Sequence, residues 1–580
     1  MAAADRKWWK EAVCYQVWPA SFKDSNGDGL GDLPGILSKL DYLKSLGVDA
    51  VWISPMYDSP RNDMGYDVRD YENVDPDFGT LQDVDNLIKG LHDRGMRLLL
   101  DLVVNHTSDE HKWFQESKKS RDNPYSDYYI WRDPKIVDGN KVEPNNWASV
   151  FGGSAWKYVP ERDQYYFHLF LVSQPDVNWE VAEVRQAVYK TSIKFWLERG
   201  VDGFRVDAVN VYCKDTTFPD AEVADPKDKF HGPLWKAIVD GPRMHEWLQE
   251  QRRDACDPYG DIVLIGEGGG ANEEESVKYI DPKNRELDMT FDMGVVWPEE
   301  SNQVAIEEWV STFSLKAFRR GWEKPQRLMI EHGVWSTVFL ENHDNPRSVT
   351  KFGSTNPALR WQSARLLALL LGTLSGTLFL YQGQEIGMSG MPKEWPLSEQ
   401  RDSGWINYWK EMHAKYPDDA TMKEKAINAF HTRGRDHART PVQWSSEEHA
   451  GFGSAKPWIR VNENFREGVN VADQEKDDSS VLNYWRQVVA FRKKYPDILI
   501  YGHTKFLARD NEKVLFFTKS LAEEIDPKAL VVLNFTDEAL PLQLPQEIPA
   551  NKLGDVLLGT HSDRKTDTLE SREGRVYQLL

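Results

Sequence analysis

Cysteine is scarce in this chain. Cys14, Cys213 and Cys256 are the only three in 580 residues, an odd number without C-x-x-C spacing, so neither a disulfide framework nor a thiolate metal site is indicated and a reducing compartment fits. Long apolar runs are missing as well. None reaches the ~18 residues of a membrane span, and the start, Met1-Ala-Ala-Ala-Asp-Arg-Lys-Trp-Trp-Lys, has no apolar signal stretch, so the chain is expected in the cytoplasm and off the membrane. Positive charge is in deficit. Lys and Arg number 71 against 92 Asp and Glu, a net charge of -21 with a pI near 5.2. Such a surface repels phosphate backbones and anionic lipids, which argues against a nucleic-acid or membrane partner and suits a neutral small-molecule substrate. No P-loop, H-E-x-x-H or G-x-S-x-G occurs, and Gly268-Gly269-Gly270 falls short of G-x-G-x-x-G, so no organic cofactor is expected.

What the chain does have is aromatic surface and regular alternation. Aromatics make up 12%, with 23 Trp, and flat rings suit the apolar faces of sugars, although large aromatics serve a core first. Short apolar runs alternate with helical patterns, the signature of βα units and a parallel sheet. Eight candidate strands are Tyr15–Phe22, Ala50–Pro55, Arg97–Val104, Gly203–Ala208, Ile262–Glu267, Leu287–Met293, Ser336–Leu340 and Gly376–Tyr381. Between the first two, Leu33-Pro34-Gly35-Ile36-Leu37 through Leu40, Leu43 and Leu46 has helical spacing and Gly47 closes it; Leu81, Val84, Leu87, Ile88 and Leu91 repeat the pattern. Eight such units predict an α/β fold, a (β/α)8 TIM barrel with its active site at the C-terminal strand ends.

The long separation between Val104 and Gly203 predicts a subdomain inserted after strand 3. After a helix over Ser480–Tyr495, short runs such as Val514–Thr518 and Leu530–Asn534 predict a C-terminal antiparallel β-sandwich. The expected organisation is 1–106 and 183–503 as two parts of a catalytic barrel, 107–182 as the inserted domain and 504–580 as the sandwich. From Pro392 to Val469, charge and tryptophan predict a long loop with short helices over the barrel mouth. Leu366–Leu380, broken by Gly372, Ser375 and Gly376, reads as helix, turn and buried strand.

Polar residues cluster at the predicted strand ends. Asp101-Leu-Val-Val-Asn105-His106 ends the third, Arg205 and Asp207 the fourth, Glu267 the fifth and Glu341-Asn342-His343-Asp344 the seventh. On a strand, Arg205 and Asp207 share a face about 7 Å apart, and a carboxylate beside a guanidinium stays ionised, as a nucleophile must. Glu267 has no cation near it in sequence. Carboxylates converging on one pocket hold a proton between them, so Glu267 is expected to carry it as acid/base.

These segments resemble the ordered motifs of the α-amylase family of glycoside hydrolases, and Gln174-Pro175-Asp176-Val177-Asn178-Trp179 resembles its oligo-1,6-glucosidase subfamily, which includes α-glucosidases, isomaltases, sucrose isomerases and trehalose synthases. The resemblance covers roughly residues 8 to 500. It implies a retaining mechanism with Asp207 as nucleophile, Glu267 as acid/base and Asp344 as the third carboxylate, gripping sugar hydroxyls, with the reacting carboxyls about 5 to 5.5 Å apart. It further implies that Arg205, His106, His343 and Gln174 line the first sugar pocket and that Tyr66 offers a stacking face. Asp67 in Met64-Gly-Tyr-Asp67 and Arg439 in Ala438-Arg-Thr-Pro match the pair that closes the pocket behind the terminal sugar in exo-acting members. Alanine after the nucleophile, here Ala208, goes with α-1,4 rather than α-1,6 linkages in this subfamily; one methyl-scale difference is worth about 1 to 3 kcal/mol.

Asp24-Ser-Asn26-Gly-Asp28-Gly-Leu30-Gly-Asp32 presents oxygens at alternate positions, as a hard cation requires, and Gly35 stands where an EF-hand has glutamate. Similar loops in the subfamily bind a structural Ca2+ or Mg2+ through Asp24, Asn26, Asp28, the Leu30 carbonyl and Asp32. The expectation is therefore a maltase-type α-glucosidase acting on oligosaccharides and sucrose, monomeric or weakly self-associating. Its rivals are an isomaltase, a transglycosylating or isomerising relative, and a non-catalytic sugar-sensing homologue, the last disfavoured because all three carboxylates are present.

Overall fold

The computed structural model describes residues 6–222, 230, 235–297, 313–354, 356–522, 524, 526–562 and 567–580; the start of the chain, up to residue 5, lies outside them. Eight parallel strands form the centre: β1 (Val13–Val17), β2 (Ala50–Ile53), β3 (Arg97–Leu102), β4 (Gly203–Val206), β5 (Val263–Glu267), β6 (Met289–Phe291), β7 (Thr337–Val338) and β8 (Thr377–Tyr381). They run in the order β6-β5-β4-β3-β2-β1-β8-β7, and a parallel bridge from Thr290 to Ser336 closes the ring. All eight predicted strands are there, most of them shorter than their apolar runs. The first stops at Val17 because Pro19, which cannot donate to a ladder, opens a 3-10 turn over Pro19–Ser21.

Local chemistry explains the helices between them. Helix α1 (Leu81–His92) starts on a capping box in which Thr80 and Asp83 satisfy each other's amides, and it buries Val84, Leu87, Ile88 and Leu91. The single helix expected from Leu33 to Leu46 is two, Leu33–Leu37 and Leu40–Leu46, the second ending at Gly47 with φ 92. The run read as helix, turn and strand is α2 (Arg360–Thr373), then β8. Gly376 between them has φ 117, and a Cβ there would meet the Ser336 carbonyl at 2.5 Å.

Between β3 and β4 a three-stranded antiparallel sheet, Trp131–Arg132, Gln164–Phe167 and Trp156–Val159, packs round Trp147, Trp156, Phe167 and Phe218. The segment from Pro392 to Val469 departs from the expected loop with short helices. It contains two substantial helices, Ser403–Lys415 and Ala420–Arg433, capped by Asp402 and Asp419, with Trp405 against Phe430 at 4.8 Å between ring centres. Trp405, Tyr408, Trp409 and Met412 follow helical spacing, a pattern masked by the surrounding charge.

Helix α3 (Val481–Lys494), capped by Ser480, leads to a five-stranded antiparallel sheet: β9 (His503–Leu507), β10 (Val514–Ser520), β11 (Pro527–Asn534), β12 (Leu553–Gly559) and β13 (Gly574–Leu579). Alternation along β10 sorts its side chains. Leu515 and Phe517 join the main core, while Val514 and Phe516 pack with Leu540 and Leu569 of a small second sheet. Among the described residues no helix is long and apolar enough to cross a membrane, and the three cysteines are buried and unpaired.

Where this sheet meets the barrel, Lys519 is fully buried and donates to Thr504 Oγ1 (2.9 Å), the Gly502 carbonyl (3.2 Å) and the Ser375 hydroxyl, all neutral. Burial, with the nearby Arg492 charge, holds its pKa well below that of an ordinary lysine. The unfolded chain therefore binds more protons between the two values, and stability rises with pH through that window. Lys519→Met removes the dependence: its Tm relative to wild type is expected to fall from about pH 7 to about pH 9.5. A difference constant across that range, by differential scanning calorimetry, counts against a neutral buried lysine.

Candidate active site

At the C-terminal end of β4, Arg205 is buried with its guanidinium among three carboxylates. NH1 lies 2.6 Å from Asp101 Oδ1 and 2.7 Å from Asp207 Oδ1, and NH2 lies 2.7 Å from Glu267 Oε1. Asp101 ends β3 and also accepts from Trp52 Nε1 (3.0 Å) and the Tyr66 hydroxyl (3.2 Å). This corrects the expectation that Glu267 is free of a cation: β4 and β5 are neighbours, so one arginine serves both carboxyls. Burial pushes the Asp207 carboxyl well above its ordinary value, and the Glu267 and Asp101 charges add to this against the pull of Arg205. The pinned anion expected from the Arg-x-Asp spacing is therefore a buried carboxyl whose burial and acidic neighbours favour the protonated form against the pull of Arg205.

Asp344 is set apart from that group. Burial alone would raise it, but the His343 ring 2.9 Å from Oδ2, Arg435 at 3.6 Å and Arg439 at 2.9 Å from Oδ1 hold it well below the carboxylate range. His343 lies between the rings of Trp18 and Tyr66, each 5.2 Å away and nearly parallel. Gln16 donates to its Nδ1 (2.8 Å), which leaves Nε2 as the protonated nitrogen facing Asp344 and the Tyr66 hydroxyl. One face of Tyr66 is thus already occupied by His343.

The remaining residues lie around these. Asp67 is fully buried and accepts from Ser59 Oγ and from the Asn62 and Asp63 amides; burial pushes its carboxyl up to about 6, with Asp63 adding to it. Arg439 spends its bonds on Asp344 and the His343 carbonyl (3.0 Å) and packs over Trp18. His106 contacts the Tyr66 carbonyl (3.0 Å) and Gln174 Nε2 (3.2 Å), and Gln174 reaches Asp63 Oδ2 (3.1 Å). The structure brings all ten residues into this one neighbourhood.

It also adds others that motif reading passed over. Arg435 joins Asp402 (2.7 Å), Asp63 (3.2 Å) and Asp344, and lies over Phe151. Lys214 bonds Asp176 Oδ2 and Asn105 Oδ1, each at 2.6 Å, tying the inserted segment to β3. Arg435 stands four residues before Arg439, and that proximity was the one available signal.

The Asp24–Asp32 loop is a chain of local turns. Asp24 accepts from the Gly27 (2.6 Å) and Gly29 (3.0 Å) amides, Asn26 from the Asp28 amide and Asp28 from the Leu30 amide; Asp32 accepts from Ser25 and caps the helix at Gly35. The donor set is all oxygen, as a hard cation wants. Its carboxylates are nonetheless turned to backbone amides, and among the described residues no three His, Cys, Asp or Glu side chains gather as a metal would draw them.

Carboxyl groups assembled round one guanidinium at the mouth of a parallel barrel are the equipment of a glycoside hydrolase. The chain belongs to the α-amylase family: residues 16–502 match the α-amylase catalytic domain. It is 47% identical to an α-glucosidase of Candida albicans over 99% of both chains and 41% identical to oligo-1,6-glucosidase IMA2 of Saccharomyces cerevisiae over 98% of both. Among solved structures, isomaltulose synthase of Erwinia rhapontici, a mutant in complex with sucrose, superposes with a TM-score of 0.91 at 38% identity over 99% of both chains.

Removing the shared cation tests its role directly. Arg205→Met strands two buried carboxyls, on Asp101 and Asp207, beside the partly exposed Glu267, and is expected to lower stability by about 3 to 5 kcal/mol. A urea midpoint equal to wild type would show that the carboxyls do not depend on it.

Proposed function

We propose that the chain is an exo-acting, retaining α-glucosidase of maltase type that releases glucose from the non-reducing ends of α-1,4-linked oligosaccharides and from sucrose. The observation that carries this reading is the placement of Asp207 and Glu267 on two nitrogens of one buried guanidinium, an arrangement that suits direct attack rather than an intervening water. Asp207 attacks the anomeric carbon and forms a glucosyl ester, while the proton held by the cluster passes from Glu267 to the departing sugar oxygen. Glu267 then takes a proton from water, which attacks the same carbon and returns Asp207 as a carboxylate. Asp344, held ionised by two arginines and a histidine, grips sugar hydroxyls, and His106, His343 and Gln174 complete the ring of donors and acceptors.

Exo action is supported by the burial of Asp67 and Arg439, which are 0% and 1% exposed and match the pair that closes the site behind the terminal sugar in exo-acting members. Ala208 supports a preference for α-1,4 bonds. Similarity to isomaltulose synthase favours a second reading, in which the glucosyl group returns to a sugar acceptor.

Asp207→Ala is expected to lose hydrolysis of p-nitrophenyl α-glucoside by at least about 10^3-fold, since the covalent route is removed; near-normal turnover refutes the assignment. Wild-type protein should give a higher kcat/KM on maltose than on isomaltose and should yield glucose and fructose from sucrose. Isomaltulose as the main product would sink the hydrolase reading.

The loop at Asp24, Asn26, Asp28, Leu30 and Asp32 is proposed to take Ca2+ or Mg2+ in a supporting role below the barrel's first helix, which requires its carboxylates to turn from the amides toward the ion. Calcium at about 100 times its dissociation constant would add roughly 2.7 kcal/mol. A Tm identical in calcium and in chelator removes the site.

A further inference from the structure

Glu267 is the last residue of β5, and the chain beyond it brings little support of its own. Gly268, Gly269 and Gly270 follow, the first with φ 78, and residues without side chains cannot pack themselves into one place. Neighbours hold them instead. Asn210 Nδ2 donates to the Gly269 carbonyl at 2.8 Å, the Ser276 hydroxyl donates to the Gly270 carbonyl at 3.3 Å, and the Ala271 amide donates to Asp240 Oδ2 at 2.6 Å. The bond to Asp240 is the shortest and is made to a carboxylate. The other oxygen of Asp240 accepts from the Tyr279 hydroxyl, also at 2.6 Å, on the helix over Glu273–Ile280 that follows the loop. Burial, with the bond to Asp240, pushes that hydroxyl up, so it stays a donor. Asp240 is itself anchored on the nucleophile's side. Its amide donates to the Asn210 carbonyl at 3.0 Å, the Asp215 amide donates to the Ala237 carbonyl at 2.7 Å, and a Cβ on Gly241 would meet the Cys213 carbonyl at 2.1 Å. Asn210 lies in the 3-10 turn Val209–Val211, just after Asp207. Asp240 has φ 54, a conformation that aspartate and asparagine tolerate better than most residues. One side chain thus joins the chain after Asp207 to the chain after Glu267.

We propose that Asp240 is a positioning residue of the reaction: it fastens the glycine loop after Glu267 to the segment after Asp207, and so keeps the acid/base at the separation and angle from the nucleophile that double displacement needs. The inference rests on the reading of Glu267 as the general acid. The ladder secures Glu267 from one side only, because it pairs with Phe291 of β6 and β5 ends there. Beyond it the glycine peptides turn freely unless they are held. A reacting group misplaced by about 1 Å can cost on the order of 10^2-fold in rate. Substitutions at 240 separate the carboxylate from the backbone. Glycine keeps the left-handed turn and loses both oxygens, alanine loses the oxygens and strains the turn, and asparagine keeps the turn and one oxygen for the Ala271 amide.

Proton delivery is read from the leaving group. Phenyl and p-nitrophenyl α-glucoside are alike in shape, but phenolate needs a proton to depart far more than p-nitrophenolate does. Since kcat/KM reports the step in which the aglycone leaves, the ratio of the two substrates follows the general acid while binding largely cancels. Wild type, Asp240→Asn, Asp240→Gly and Asp240→Ala are compared, with Tm confirming that each is folded. In Asp240→Gly and Asp240→Ala the phenyl to p-nitrophenyl ratio of kcat/KM is expected to fall about tenfold, a part of what a general acid supplies. In Asp240→Asn it is expected to stay within about twofold of wild type, because an oxygen still accepts from Ala271. A ratio that holds in folded Asp240→Gly and Asp240→Ala overturns the proposal even if both rates drop, since an equal loss marks a merely structural role. A fall in Asp240→Asn as large as that in Asp240→Gly overturns it too, as does a fall confined to Asp240→Ala, which would assign the effect to the backbone. Wild-type protein inert towards both glucosides refutes the glucosidase reading itself, a result distinct from these.

Discussion

Arg205, itself buried, brings one positive charge to three carboxylates, the buried Asp101 and Asp207 and the partly exposed Glu267. Buried charges of one sign cannot coexist unless a cation or a proton offsets them, and Arg205 is the cation here. The arrangement ties three adjacent strands together through their side chains, because Asp101 ends β3, Arg205 and Asp207 belong to β4 and its turn, and Glu267 ends β5. The barrel's parallel register is thereby also the register of the chemistry: a slip by one residue in any of the three would turn its acid to the other face.

A second charge system, built differently, surrounds the first. Asp344 lies among Arg435, Arg439 and the Nε2–H of His343, which together hold its carboxyl well below the carboxylate range. Opposite electrostatic surroundings a short distance apart divide the labour. Burial raises the Asp207 carboxyl in the one, whereas the cations round Asp344 lower it in the other.

The strands and the principal acids were legible because their signals are local. Period-two spacing put Arg205 and Asp207 on one face, and apolar runs ending in Asp101, Glu267 and Asp344 marked the strand ends. What was not legible depends on contacts between distant segments. No sequence separation shows that Arg205 also reaches Glu267, or that Arg435 meets Asp63 and Asp402. The helices over Ser403–Lys415 and Ala420–Arg433 were missed although Trp405, Tyr408, Trp409 and Met412 follow helical spacing, since dense charge around them resembled a solvated loop. Ala208 was read for the volume of its side chain, whereas its left-handed backbone, φ 43, is something no residue name discloses.

Arg435 holds together pieces of chain that begin hundreds of positions apart, reaching from the 402 region to Asp63 and over Phe151 of the inserted segment. The walls of the site are accordingly assembled from distant segments, and a change in any of them reaches Asp344 through Arg435. The floor, by contrast, needs only β3, β4 and β5. A substitution in the walls therefore leaves the contacts of Arg205 with Asp101, Asp207 and Glu267 in place.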